Sequence, residues 1–166
     1  MKRKFYICLV IITLFSITGC GSNTAKKENS NVRVTKETYE KITCINNNDI
    51  ISDNTTVVLE YKNNYVKKAT YTYNIKSEAK TLASAIYKEF NNDFKDISGV
   101  ESSFDNDVIM QIFDFEKIDL SLYQIAKTNY INFISSSAEK DFSYISENKV
   151  LLDAYKNTEL SNFTCK

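Results

Sequence analysis

Apolar and polar residues alternate along residues 55–75, with the period of two that is typical of a half-buried β-strand. The apolar residues fall on the odd positions, Val57, Leu59, Tyr61, Tyr65, Ala69, Tyr71, Tyr73 and Ile75. The even positions carry mostly charged and hydroxyl side chains. The pattern predicts two strands of a hairpin with one buried face.

The register of this hairpin depends on its loop. A two-residue Asn63-Asn64 turn would set Leu59 opposite Lys68 and split the apolar face. A three-residue loop, residues 62–64, would pair Tyr61 with Tyr65 and keep the face intact. We therefore expect the three-residue loop.

The segments on either side predict a strand and a helix. Residues 39–45 alternate as a first strand, and residues 46–49 end it with turn-forming Asn and Asp. Ser77 is a suitable N-cap for a helix, with Glu78 in the first turn. One face of this helix is apolar, at Ala79, Leu82, Ala83, Ile86 and Phe90. We expect it to lie on the apolar face of the sheet.

The second half of the chain gives a less regular pattern. Gly99 precedes a predicted strand over residues 100–104, and Asp105-Asn106 is typical of a turn. Residues 108–118 are apolar on both parities, which predicts a central strand covered on both faces. Residues 121–137 fit either a helix or a loosely packed excursion.

The C-terminal residues predict a helix and a return to the sheet. Ser146 is expected to cap a last helix, after which residues 163–165 rejoin the sheet. Together the elements predict an α+β fold, an antiparallel β-sheet with helices packed on its face, in a single domain over residues 38–166.

The N-terminus carries a different pattern. Lys2, Arg3 and Lys4 precede an apolar run over residues 5–15, and Ile17-Thr18-Gly19-Cys20 follows. The run is little more than half of the about 20 residues that span a bilayer. This order is that of a bacterial lipobox, and it predicts a signal peptide over residues 1–19 and lipidation of Cys20. The alternative is a short membrane anchor that stays in place.

Residues 20–37 are then the lipidated N-terminus and a flexible tether. They are mostly small and polar, and a coil of about 12 such residues extends about 20 Å. We expect the protein on the extracytoplasmic face of the cell membrane, with the membrane as its partner through the lipid on Cys20.

Charge and cysteine content narrow the function. Basic and acidic residues balance at 21 each, and loss of residues 1–19 removes three cations. The resulting net negative charge excludes an obvious nucleic-acid surface. Outside the cytoplasm, Cys44 and Cys165 are expected to form a disulfide across 121 residues. Two free buried thiols are the alternative.

Candidate chemistry is sparse. Histidine is absent, which excludes His-dependent triads. Ser77-Glu78-Ala79-Lys80 and Ser137-Ala138-Glu139-Lys140 match Ser-x-x-Lys but lack the other motifs of penicillin-binding enzymes. Five carboxylates could hold a metal or act as acid and base: Asp105, Asp107, Asp114, Glu116 and Asp119. Solvated turn residues are the more frequent explanation. We therefore predict no catalytic residue, metal or cofactor.

Four short motifs resemble the YehR-like family of small bacterial lipoproteins. They are Ala79-Lys80-Thr81-Leu82, Tyr87-Lys88, Ile97-Ser98-Gly99-Val100-Glu101 and Phe115-Glu116-Lys117-Ile118-Asp119-Leu120. The resemblance covers the lipobox and most of the mature chain, and implies a polar tether, a hairpin, a helix, further strands and a C-terminal helix. Residues 123–143 depart from the family pattern, the return at residues 163–165 lacks its glycine, and the Cys44–Cys165 pair is not general to it.

The family has no established activity, so the resemblance implies the fold and the anchor but no site. The function expected from the sequence is a non-enzymatic envelope lipoprotein that binds another envelope protein or a small ligand. A passive structural or interaction module in a protein assembly is a further hypothesis. The tyrosines of the hairpin could form a binding surface, although a stripe on one strand face is more often core. The alternative function is an envelope enzyme or metal-binding protein that uses the carboxylates around Asp105–Asp119.

Overall fold

The computed structural model describes residues 38–166, which form an antiparallel β-sheet with three helices. The strands are β1 (Glu40–Asn46), β2 (Ser52–Lys62), β3 (Tyr65–Ile75), β4 (Val100–Asp105), β5 (Val108–Asp114), β6 (Ile145–Ser146), β7 (Lys149–Leu151) and β8 (Thr164–Cys165). The helices are α1 (Lys80–Phe94), α2 (Leu120–Ile134) and α3 (Leu152–Thr158). This α+β architecture confirms the fold class. The predicted signal peptide, Cys20 and the tether lie outside the described residues.

The strands run in the order β4-β5-β3-β2-β1-β8, and every pair is antiparallel. The short hairpin β6–β7 pairs through β7 with the first two residues of β3, Tyr65 and Val66. The long β2–β3 hairpin therefore lies in the middle of the sheet, and the C-terminal strand closes one side against β1.

The prediction of a three-residue loop is wrong. The loop has two residues, and a β-bulge in the strand keeps the apolar residues on one face. Asn63 and Asn64 form a two-residue turn with φ of 52° and 63°, and Lys62 pairs with Tyr65. Between the pairs Glu60–Lys68 and Tyr61–Val66 the register shifts, which leaves Lys67 as the extra residue. Leu59 consequently faces Ala69, and the apolar face stays intact.

Within residues 38–166, helices cover one face of the sheet only. In β5 the residues Ile109, Gln111 and Phe113 are buried, whereas Met110 on the other face is 38% exposed. The prediction of a central strand covered on both faces is wrong: β5 is second from the edge and ends at Asp114. Val108 and Ile112, on the same face as Met110, are partly buried.

Helix α1 begins later than predicted. Ser77 lies in a 3₁₀ turn, Ser77–Ala79, and the residue at the N-cap of α1 is Ala79, without a side-chain cap hydrogen bond. The Ser77 cap is therefore wrong. The buried residues of α1 are Ala83, Phe90 and Phe94, which confirms that this helix packs on the apolar face of the sheet.

The ambiguous segment is helix α2. The Asp119 side chain caps it by accepting hydrogen bonds from the amides of Ser121 and Leu122, at 2.9 and 3.3 Å. Ser146 does not cap α3, because it lies in β6 and a two-residue turn follows it; that prediction is wrong. Helix α3 begins only at Leu152.

The C-terminal return to the sheet is confirmed. Cys165 lies opposite Cys44 in the β8–β1 pair, and the Thr43 and Lys166 backbones exchange hydrogen bonds of 3.1 and 2.9 Å. The two cysteine sulfurs are 1.99 Å apart, and Cys44 is completely buried. Within residues 38–166 no helix combines the length and the apolar character needed to cross a membrane.

Candidate ligand-binding cleft

The carboxylates singled out in the sequence do not converge. The stretch of β5 between Asp107 and Asp114 separates Asp105 and Asp107 from the other three by about 20 Å of strand. Each has its own contact: Asp105 with Asn106, Asp107 with Lys80, Asp114 with Lys117, Glu116 with Lys67 and Tyr39, and Asp119 with the start of α2. Among residues 38–166 no group of three or more acidic or cysteine side chains is placed to hold a metal.

A cleft of about 270 Å³ lies instead between the covered face of the sheet and the three helices. Most of the residues that line it are aromatic: Tyr71, Tyr73, Phe90, Phe94, Phe113, Tyr123, Tyr130, Tyr155 and Phe163. The remainder are polar: Asn46, Asp49, Thr55, Gln111, Lys127 and Glu159. An apolar cavity with a few convergent polar groups is the usual form of a small-molecule site.

The periodicity of each element places these side chains. On β3 the alternation sends Tyr71 and Tyr73 to the covered face, where their rings stack with centroids 6.1 Å apart. On α2 the spacing of Tyr123, Lys127 and Tyr130 brings them to one side of the helix. The same sequence pattern that builds the core therefore lines the cleft.

A buried ion pair joins α2 to the end of α3. The Lys127 ammonium binds the Glu159 carboxylate, and the two side chains are only 15% and 19% exposed. Lys127 Nζ also donates to the hydroxyls of Tyr123 and Tyr144, at 3.4 and 3.3 Å. Burial acts to lower the pKa of Lys127, but its contacts with Tyr123 and Glu159 outweigh burial and raise it. Lys127 is therefore a cation at neutral pH and not an amine nucleophile.

The tyrosine hydroxyls of the cleft make their own hydrogen bonds. Those of Tyr71 and Tyr155 share one of 2.7 Å, and Tyr73 donates to Gln111 Oε1 at 3.4 Å. Burial raises the pKa of Tyr71 and Tyr155 well above the ordinary value. Burial, helped by the charge of Asp93, raises the pKa of Tyr130 to about 12. These tyrosines are neutral at physiological pH and offer rings and hydroxyls rather than a catalytic base.

Asp49 lines the cleft from the segment between β1 and β2 and, like Lys127 and Glu159, is partly exposed. Its carboxylate accepts hydrogen bonds from the Thr55 hydroxyl at 2.9 Å and from the Ile51 amide at 3.0 Å. The nearby Lys76 ammonium binds the Asp49 carbonyl oxygen, at 2.7 Å, rather than the carboxylate. Among the described residues the Asp49 carboxylate is thus held in place by neutral donors.

Comparison with solved structures supports the architecture. The chain is similar to the NMR structure of the E. coli YehR protein, with a TM-score of 0.53 and 16% identity, covering 78% of this chain and 92% of that one. The fold is YehR-like. An NMR structure of a protein from Streptococcus pneumoniae TIGR4 is similar at a TM-score of 0.46 and 15% identity, covering 93% of this chain and 99% of that one.

No protein-family model and no curated protein matches the sequence. At such identities a YehR-like fold carries no activity with it. Family membership therefore stays a prediction, and the function has to be argued from the cleft.

Sequence reasoning found part of this cleft. Tyr71 and Tyr73 were expected as core, and they both pack in the core and line the cleft, whereas Tyr61 and Tyr65 lie outside the lining. Lys127 and Glu159 were missed. The available signal was that Lys127 is the sole charged residue of α2, set between the apolar positions Ala126 and Tyr130.

Proposed function

We propose that this chain is a lipid-anchored, extracytoplasmic protein of a bacterial envelope whose cleft binds a small ligand without catalysing a reaction. The lipobox ending at Cys20 supports the anchor. The Cys44–Cys165 pair, with its sulfurs at bonding distance, agrees with an oxidising compartment.

The observation that carries the binding function is the cleft itself. A cavity of about 270 Å³ is large enough for a small molecule, and its rings and polar groups converge from the sheet and all three helices. The alternative, an enzyme or metal protein built on the carboxylates around Asp105–Asp119, has less support because those side chains are separately paired.

The anchor is tested by replacing the lipidated thiol. We expect Cys20→Ser to abolish fatty-acid labelling and to release the protein from washed membranes. Cys8→Ser, which changes a cysteine inside the predicted signal peptide, is the matched control and keeps both. A Cys20→Ser protein that is still labelled with fatty acid would overturn the anchor.

Binding is tested by NMR titration of the ¹⁵N-labelled protein in maltoside micelles. Phenol, choline and 3,3-dimethylbutanol serve as small probes of different charge and aromaticity. We expect saturable shifts that cluster on cleft residues such as Gln111 and Tyr73. If no probe shifts these residues, or all shifts cluster elsewhere, the cleft is not a ligand site.

A further inference from the structure

The walls of the cleft define the chemistry of its ligand. We propose that the cleft takes a small organic cation, an amine or quaternary ammonium group on a compact apolar body. This inference rests on the proposed binding function and adds the class of ligand to it. It is drawn from three features of the lining: its rings, its net charge and the way it already holds one cation.

The rings come first. Nine of the residues named in the lining are Phe or Tyr, contributed by β3, β5, all three helices and the C-terminal segment. The faces of such rings carry partial negative charge, and a cation within about 6 Å of a ring centroid is attracted to them. A lining of this composition favours a cation over an anion of the same size.

The charges of the lining point the same way. Only Asp49, Lys127 and Glu159 are charged, so the cleft carries a net charge of minus one. Lys127 is bound to Glu159 and is not available to an anionic ligand. The remaining charge is the Asp49 carboxylate, whose hydrogen-bond donors Thr55 and Ile51 are neutral, while the Lys76 ammonium binds the Asp49 carbonyl oxygen at 2.7 Å.

One charged residue of the lining is a cation that lies beside rings. Lys127 Nζ, paired with the Glu159 carboxylate, lies 5.7 Å from the centroid of the Tyr123 ring in the lining and 5.5 Å from that of Tyr144 outside it. An ammonium group is therefore stable in this environment when rings and a carboxylate surround it. A ligand cation would find the corresponding elements, rings and the Asp49 carboxylate, among the lining residues.

The volume of the cleft limits the size of the group that it can enclose. About 270 Å³ corresponds to roughly nine waters at about 30 Å³ each, which is below the range for drug-sized ligands. The part of the ligand inside the cleft is thus a compact cationic group, either a free methylated amine or the ammonium headgroup of a lipid. Both sources present the same ammonium group.

Three probes of one shape isolate the effect of charge. Choline, 3,3-dimethylbutanol and 3,3-dimethylbutyrate have nearly the same branched body and carry a positive, zero and negative charge. We expect choline to bind at least about tenfold more tightly than the alcohol, a difference of about 1.4 kcal/mol, and the carboxylate to bind most weakly. The measurement is the dissociation constant from NMR titration of the lipidated protein in maltoside micelles.

Variants with matched controls locate the effect. Asp49→Asn removes the charge but keeps the size, and we expect it to weaken choline binding about three- to tenfold while leaving the alcohol unchanged. Asp53→Asn, an exposed aspartate outside the lining, is the control. Phe163→Leu should weaken choline more than the alcohol, whereas Phe133→Leu on exposed α2 surface should change neither.

The outcomes separate this inference from the proposed function. If choline and the alcohol bind in the cleft with equal affinity, the cleft is a ligand site but has no preference for a cation. If none of the three probes binds in the cleft, both the cation inference and the proposed binding function are wrong. Preference for choline that Asp49→Asn reduces supports the inference. Competition of bound choline by phosphatidylcholine vesicles then identifies a lipid headgroup as the source, and lack of competition identifies a free solute.

Discussion

The buried ion pair between Lys127 and Glu159 allows a sharp test of how the helices are held over the sheet. Lys127→Met removes the ammonium but keeps a long side chain of similar helix propensity. It leaves the Glu159 carboxylate 19% exposed and without its cation, and it removes the donor to the Tyr123 and Tyr144 hydroxyls. Breaking a buried pair in this way typically costs about 3–5 kcal/mol.

The structure places the expected loss at the lower end of that range. Both side chains keep some exposure, and the hydroxyl contacts of Lys127 are long, at 3.4 and 3.3 Å. We therefore expect Lys127→Met to lower the free energy of unfolding by about 3 kcal/mol. The double variant Lys127→Met/Glu159→Leu should recover most of the loss, because neither charge is then left unpaired.

The assay is urea unfolding at neutral pH, followed by far-ultraviolet circular dichroism and by tyrosine fluorescence, since the chain lacks tryptophan. Lys80→Met is the matched control: Lys80 binds Asp107 at 2.6 Å, but the two side chains are 49% and 48% exposed. We expect it to cost at most about 1 kcal/mol. If Lys127→Met costs no more than Lys80→Met, the ion pair does not stabilise the fold in the way described.

Three further predictions concern the backbone, a carboxylate and the cysteines. Gly99→Ala should cost about 1–3 kcal/mol in urea unfolding, because φ is +86° and an added Cβ would lie 2.8 Å from the Asp114 carbonyl oxygen. Asp93→Asn should raise the free energy of unfolding at pH 7 by up to about 1 kcal/mol, because burial raises the pKa of Asp93 and its Oδ2 has no hydrogen-bond partner among the described residues. Cys44→Ala/Cys165→Ala should cost about 5 kcal/mol if the bridge acts by closing a loop of 121 residues, measured by thermal and urea unfolding without reductant.

The controls for these predictions follow from the same structure. Asn64→Gly, at a positive φ of 63° in a solvent-exposed turn, should cost only a few tenths of a kcal/mol, unlike Gly99→Ala. Because burial raises the folded-state pKa of Asp93, the contribution of Asp93 to the free energy of unfolding falls as pH rises through that pKa. The advantage of Asp93→Asn should therefore disappear near pH 3, and an advantage independent of pH contradicts the explanation. A cysteine double variant as stable as the native protein contradicts the bridge.

The hairpin illustrates both what periodicity predicts and where it stops. Strand alternation identified the buried face of β2 and of β3 from Ala69 onward, because alternate side chains of a half-buried strand face the core. Before the bulge it failed, since Val66 is buried in place of the expected Tyr65. The predicted loop length was wrong because either a three-residue loop or a bulge in one strand keeps the apolar residues of both strands on the same face. Lys67 is the bulged residue, and a lysine there gives no signal that distinguishes it from its neighbour Lys68.

Helix α2 was ambiguous for a different reason. Its outward face carries Leu122, Ile125 and Phe133, which are 51%, 60% and 51% exposed, so apolar residues occur around the whole helix. The contrast between faces that marks an amphipathic helix is then weak. The β6–β7 hairpin was missed because its turn residues, Glu147 and Asn148, adopt positive φ without a glycine.

The candidate site was only partly predictable because it is made by packing. Tyr71 and Tyr73 on β3 and Phe90 on α1 could be assigned to a buried face from periodicity, whereas Tyr123 and Tyr130 on α2 could not. That those faces enclose a cavity depends on how far helices α1, α2 and α3 lie from the sheet, which is set by side-chain contacts distant in sequence. The partner of Lys127 was unpredictable likewise, since Glu159 follows α3, 32 residues further along the chain.

The central claim is that the aromatic cleft is a site for a small cation, and a crystal structure of the protein grown with choline tests it most directly. We predict density for choline between the sheet and the helices, with its nitrogen within about 6 Å of ring centroids of the lining. A structure at saturating choline with the cleft closed by side chains, or filled by water alone, would contradict the claim.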